Sequence, residues 1–154
     1  MGQSTQQTTH SFQYKAVPVE HLYWHFLAYQ HHLDEVAAIR DLQGKNGDVA
    51  RTKLQSELGF STADYAVIHT SATRLTTHLK NIDVKTKTLL ASAKSSGSGS
   101  SSSVHEQLKA LSAERESTIQ AEIDTINQSL TTEQRAALKA YILKIFSSSK
   151  AVQQ

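Results

Sequence analysis

Histidine and aromatic side chains are packed into one short stretch, His21-Leu22-Tyr23-Trp24-His25-Phe26-Leu27-Ala28-Tyr29-Gln30-His31-His32-Leu33. His21 and His25 are spaced i, i+4, so on a helix both imidazoles leave from one side and can share a divalent ion. At about 100° per residue, His32 falls within about 40° of that pair. His21, His25 and His32 are therefore the candidate ligands for Zn²⁺, Cu²⁺ or Ni²⁺, with His69, His78 or a carboxylate needed to close the site. The same spacing, without the Glu of a zinc-protease motif, also suits histidines at the edge of a core with one hydrated face. Haem held between two histidines is a further use of such a set, and no other cofactor is implied.

The aromatic residues between these histidines form more than one stripe. Leu22, Phe26, Tyr29, Leu33 and Val36 share one helical face, while Tyr23, Trp24 and Leu27 project toward another. An ordinary amphipathic helix needs one apolar stripe. The surplus implies that Tyr23, Trp24, Phe26 and Leu27 are covered on two sides within the fold, meet a second copy of the chain, or present a binding surface to a partner.

Nothing in the chain matches a catalytic signature: there is no GxSxG, P-loop, dinucleotide fingerprint or HExxH. Gly44-Lys45-Asn46-Gly47 lacks the glycine spacing and the preceding strand of a phosphate loop and reads as a tight turn. Asp34-Glu35 reads as solvated charge on a polar face. A non-enzymatic protein is expected. The absence of cysteine excludes disulfides, thiolate metal sites, covalent c-type haem and cysteine nucleophiles. A net charge of +2 without a basic stripe argues against nucleic-acid binding. Eight histidines would raise that charge to +10 if all were protonated, which makes pH a candidate modulator. No apolar run reaches the ~18 residues of a membrane span, and Met1-Gly2-Gln3-Ser4-Thr5 lacks a signal core. The chain is then either cytoplasmic or the mature form of an exported protein.

Helices must position these residues. One proline and six glycines leave long uninterrupted segments rich in Ala, Leu, Gln, Lys and Glu, and no alternating β-branched run appears. The fold class is all-α: an antiparallel bundle of about four main helices, residues 17–148, between flexible tails at 1–16 and 149–154. The first helix runs from about Pro18 to Leu42, with proline and Glu20 in its first turn. A short helix over about Val49 to Leu58 follows the glycine turn. Ser61 with Asp64 three residues on opens the second main helix. Within it Ile68, Ala72, Leu75, Leu79, Ile82, Thr86, Leu89 and Ala93 alternate four- and three-residue steps, as a coiled-coil seam does. Residues 95–103, all Ser or Gly, read as a flexible linker. The third helix, about Val104 to Leu130, has an apolar face interrupted by Arg115. Residues 62–96 carry five Lys/Arg against two Asp, and residues 103–136 carry three Lys/Arg against six Asp/Glu, so these helices should pair antiparallel. A fourth helix begins at Thr131-Thr132-Glu133-Gln134 and continues through Phe146.

The junction Leu130-Thr131-Thr132-Glu133-Gln134-Arg135 resembles the LTxxQ motif of the periplasmic Spy-like and CpxP-like family. Thr131 and Gln134 are placed to exchange side-chain and backbone hydrogen bonds, with Leu130 packed under the turn. Phe60-Ser61-Thr62-Ala63-Asp64 resembles a second, degenerate copy, with Phe for Leu and Asp for Gln. The resemblance implies a small helical protein of the bacterial envelope that binds unfolded clients without ATP or acts in heavy-metal stress, commonly as a dimeric cradle. The residues themselves also admit two other classes: a histidine-dependent metal-binding protein, and a structural homo-oligomer subunit with its aromatic face buried between copies.

Overall fold

The computed structural model describes residues 18–97 and 101–147. The tails at 1–16 and 149–154, and the centre of the 95–103 linker, lie outside the described residues. Among the described residues there are six α-helices, a terminal π-helical turn and no strand. They are α1 (Val19–Leu42), α2 (Asp48–Arg51), α3 (Lys53–Leu58), α4 (Thr62–Ser95), α5 (Ser102–Ser129) and α6 (Thr132–Ile142), followed by the turn Leu143–Ser147.

Pro18 precedes α1 without a side-chain cap, whereas α4, α5 and α6 each start at a capping side chain. Ser61 Oγ accepts the Asp64 N–H at 3.1 Å and opens α4. Thr131 Oγ1 accepts the Gln134 N–H at 3.1 Å, while Gln134 Oε1 accepts the Thr131 N–H at 3.0 Å. That reciprocal pair satisfies two amides left unpaired at the start of α6. Arg135 reaches back to the carbonyls of Asn127 and Leu130 at 2.9 and 3.3 Å, tying the end of α5 to the start of α6 above the buried Leu130. The linker is shorter than its composition implies. Ser101 accepts the Val104 N–H at 3.2 Å and acts as the N-cap, so Ser102 and Ser103 already belong to α5.

The pair α4 and α5 is antiparallel: Arg74 meets Glu122, whereas further along α4 His78 and Asp83 meet the earlier α5 residues Glu114 and Arg115. Ile68, Ala72, Leu75, Leu79, Ile82 and Ala93 of the expected seam are buried, with Thr86 and Leu89 half-covered. Arg74 forks onto Glu122, Nε to Oε2 at 2.6 Å and Nη2 to Oε1 at 2.8 Å, on a carboxylate that is itself buried. This bidentate pair fixes the register of the hairpin. Its favourable geometry holds the Arg74 guanidinium pKa above its ordinary value.

Helix α1 packs on α4, on α5, and on α6 with its π-helical turn. The first half of α1 is therefore enclosed. Leu22, Phe26 and Leu33 join Ile119, Ile126, Leu138 and Ile142 in the core, and Phe26 meets the rings of Tyr141 and Phe146 edge-on. The last turns of α4 and the first turns of α5, the far arm of the hairpin, face each other across a cleft lined by Lys85, Leu89, Ala110 and Leu111.

Candidate functional site

Of the residues expected to form a binding surface, Tyr23, Phe26 and Leu27 are buried in the core, 5%, 0% and 0% exposed. Trp24 is half-buried, with the Arg115 guanidinium 4.8 Å from its ring centroid. The surface expected there is thus not available to a partner in this fold. The cause is the number of neighbours: α1 has helices on more than one side, so both of its apolar stripes are covered. Arg115, which interrupts the apolar face of α5, does so to cap Trp24 by a cation–π contact and to reach Asp83 at 3.4 Å. Burial pushes the Tyr23 phenol pKa up.

The three candidate ligands on α1, His21, His25 and His32, are not drawn around a common point. His21 Nε2 lies 3.5 Å from Glu116, the His25 ring lies against Trp24 with centroids 4.7 Å apart, and the His32 ring stacks on Tyr29 at 6.3 Å. His69 and His78, the further donors considered, face Asp34 and Glu114 instead. Among the described residues no group of three His, Asp or Glu side chains is gathered as a metal site.

Asp34 was expected to be solvated and is not. It sits between α1 and α4, where the fully buried Gln30 donates from Nε2 to Asp34 Oδ1 at 2.9 Å and accepts from the Tyr65 hydroxyl at 3.1 Å. His69 Nδ1 lies 3.1 Å from Asp34 Oδ2. Tyr65 is wholly buried, which pushes its phenol pKa far up and keeps the hydroxyl protonated as a donor. The only hint of this cluster in the sequence was the i, i+4 spacing of Gln30 with Asp34 and of Tyr65 with His69.

The glycine turn builds a second feature. Gly44 sits at φ +74° with open space around it, whereas Gly47 presses its backbone against α1. A Cβ on Gly47 would fall 2.3 Å from the Ala37 carbonyl oxygen. Asp41 Oδ1 accepts the Gly47 N–H at 2.9 Å, and its other oxygen accepts from Arg51 at 2.8 Å. The Arg51 contact, then the Gly47 N–H, hold the Asp41 carboxyl below its ordinary range. The loop is a clamp that folds α2 and α3 back along α1; its amide is spent on Asp41 rather than aimed at a phosphate.

Between α1 and the clamped α2–α3 segment runs a groove of about 800 Å³. Its apolar lining is Tyr29, Leu33, Val36, Val49 and Ala50, and its charged edge is Arg40, Lys53 and Glu57. Lys53 and Glu57 pair at 2.7 Å, and Glu57 also accepts from the Tyr141 hydroxyl. The Lys53 contact, then Tyr141, lower the Glu57 pKa. Tyr29 and Val49 are 36% and 70% exposed, so the apolar wall is open to solvent. Ile39, Leu42, Leu143 and Ile145, on α1 and the π-helical turn, are exposed as well.

No family model matches the chain, and no curated protein or solved structure matches it either. Among the described residues no helix is long and apolar enough to cross a membrane.

Proposed function

We propose that this chain is a non-enzymatic binding protein that takes apolar segments of unfolded polypeptide into the groove between α1 and α2–α3, without ATP. In this reading α1, α4, α5 and α6 form an antiparallel four-helix frame, and the short helices supply the outer wall of the site. The observation that carries the reading is the groove itself. Its ~800 Å³ lies within the range of ligand-holding clefts, and its lining is mostly apolar and open to solvent. The envelope-stress part of the proposal rests on the LTxxQ resemblance at Leu130–Arg135, where Thr131 and Gln134 form the capping box read from the residues themselves. The binding surface moves from Tyr23, Trp24, Phe26 and Leu27 to Tyr29, Val36 and Val49.

The test is suppression of aggregation of two unrelated reduced proteins at stoichiometric ratio, with Val49→Glu beside the wild type. Val49 is largely exposed, so the substitution leaves the fold intact. Wild-type suppression that Val49→Glu weakens supports the groove; no suppression by either, or equal suppression, removes it.

A second reading is favoured by the same exposed residues. Leu42 at 88% and Val49 at 70% exposure would also serve a homodimer. Light scattering after size exclusion separates the two readings: a concentration-independent dimer that Val49→Glu dissociates favours self-association.

A further inference from the structure

The Gln30–Asp34–His69–Tyr65 cluster is not required by the proposed binding in the groove, and it borders a cleft of about 410 Å³ between α1, α2–α3 and the start of α4. We infer that this cleft is a binding site for a small, mostly apolar molecule bearing a hydroxyl, with His69 Nε2 as the atom that receives its proton-donating group.

The chemistry follows from which atoms are already committed. A carboxylate only accepts, so His69 Nδ1, 3.1 Å from Asp34 Oδ2, carries a proton toward it. Gln30 directs its amide N–H to the other oxygen, Asp34 Oδ1, at 2.9 Å; its 3.2 Å approach to Nδ1 results from sharing that carboxylate. Tyr65 in turn fixes the Gln30 amide by donating to its oxygen at 3.1 Å. In the neutral ring the remaining nitrogen, Nε2, is thereby an acceptor, held in one orientation by three partners.

The other polar groups of the cleft are occupied. Arg51 forks onto Asp41 and Asp48, the Thr52 hydroxyl donates to the Asp48 carbonyl at 2.7 Å, and Gln55 Nε2 donates to Thr62 Oγ1 at 3.1 Å. What they leave toward the cavity, with Ala66, is mostly carbon. Arg51 is already matched by Asp41 and Asp48, so Asp34 leaves the cleft with a negative balance that disfavours an anion. An acceptor in a half-buried, mostly apolar cleft with this charge balance selects a hydrogen-bond donor that is not an anion, and it prefers that donor over the same shape lacking it.

Phenol and toluene, nearly equal in size and differing in the hydroxyl, are the probes. Each is titrated into the full chain while the His69 ring resonances are followed by NMR at a pH where the ring is neutral. Phenol is expected to shift the His69 ring saturably and to bind about fivefold to tenfold more tightly than toluene. Asp34→Asn should erase that preference, because an Asn side-chain amide can donate to Nδ1 and move the ring proton to Nε2. The inference is overturned if neither probe shifts His69 saturably, as a purely helix-tying network requires. Equal affinity for the two probes, or a phenol preference that survives Asp34→Asn, also overturns it.

Discussion

Replacing Gly47 by alanine should destabilise the protein more than replacing Gly44, although Gly44 is the residue with the left-handed backbone. Gly47 has φ −81° and ψ −13°, which alanine adopts without strain, so its cost is steric. The new Cβ would meet the Ala37 carbonyl oxygen at 2.3 Å, its carbon at 2.9 Å and Asp41 Oδ1 at 2.6 Å. Two of these are helix backbone atoms, which cannot swing away, so α2 must move off α1 by roughly 1 Å to restore ordinary contact. That displacement stretches the Asp41–Gly47 hydrogen bond. Overpacking contributes about 1–3 kcal/mol and the hydrogen bond about 1 kcal/mol, less about 0.5 kcal/mol for the restricted unfolded chain. A net loss of about 1.5–3.5 kcal/mol follows, or roughly 3–14 °C in melting temperature for a chain of this size. At Gly44 a Cβ meets nothing within 4 Å, and only the positive φ of +74° is penalised, by about 1–2 kcal/mol before the same offset. Urea unfolding followed by far-UV circular dichroism gives both values. If Gly44→Ala costs as much as Gly47→Ala, the loop is not a clamp pressed onto α1, and the account of how the groove wall is held is wrong.

Three further outcomes are expected. Arg74→Ala should cost about 2–4 kcal/mol, because it strands the buried Glu122 carboxylate, while a double change of Arg74 and Glu122 to leucine should cost less than the single one; chemical denaturation of the three variants tests this. Asp41 and Glu57 have folded pKa values below their unfolded ones, so the stability they contribute is present above the unfolded values and is lost as pH falls through the lowered folded ones. Urea midpoints measured from pH 6 to pH 3 should fall accordingly, with a shallower slope in Asp41→Asn; an unchanged slope would discount the Arg51 contact. Zn²⁺ calorimetry should show only the weak binding of dispersed histidines, since His21, His25 and His32 face Glu116, Trp24 and Tyr29; tight binding abolished by His25→Ala would contradict that arrangement.

The helices were legible because their ends are written in single residues. Pro18 and Glu20 mark the start of α1, Ser61 and Asp64 that of α4, and Thr131 and Gln134 that of α6. The seam from Ile68 to Ala93 and the opposite charges of α4 and α5 made their antiparallel pairing readable as well. The site was much less so. Periodicity showed that α1 has a surplus of apolar residues, but not that other helices cover Tyr23 and Leu27 from more than one side. Arg115 looked like a flaw in a stripe until Trp24 lay beneath it. Asp34 looked solvated because its partners Tyr65 and His69 stand on a helix whose position no local pattern specifies. The groove depends on one close approach, Gly47 on Ala37, which leaves no trace in hydrophobic spacing.

The central claim is that unfolded segments lie against Tyr29, Val36 and Val49. A photo-crosslinking side chain placed at Val49, and separately at Val84 on the far arm of α4, tests it most directly, since the two positions are 70% and 61% exposed. With a reduced client present, crosslinks are expected from position 49 and not from position 84. Equal labelling from both, or labelling from position 84 alone, would contradict a groove between α1 and α2–α3 as the binding site.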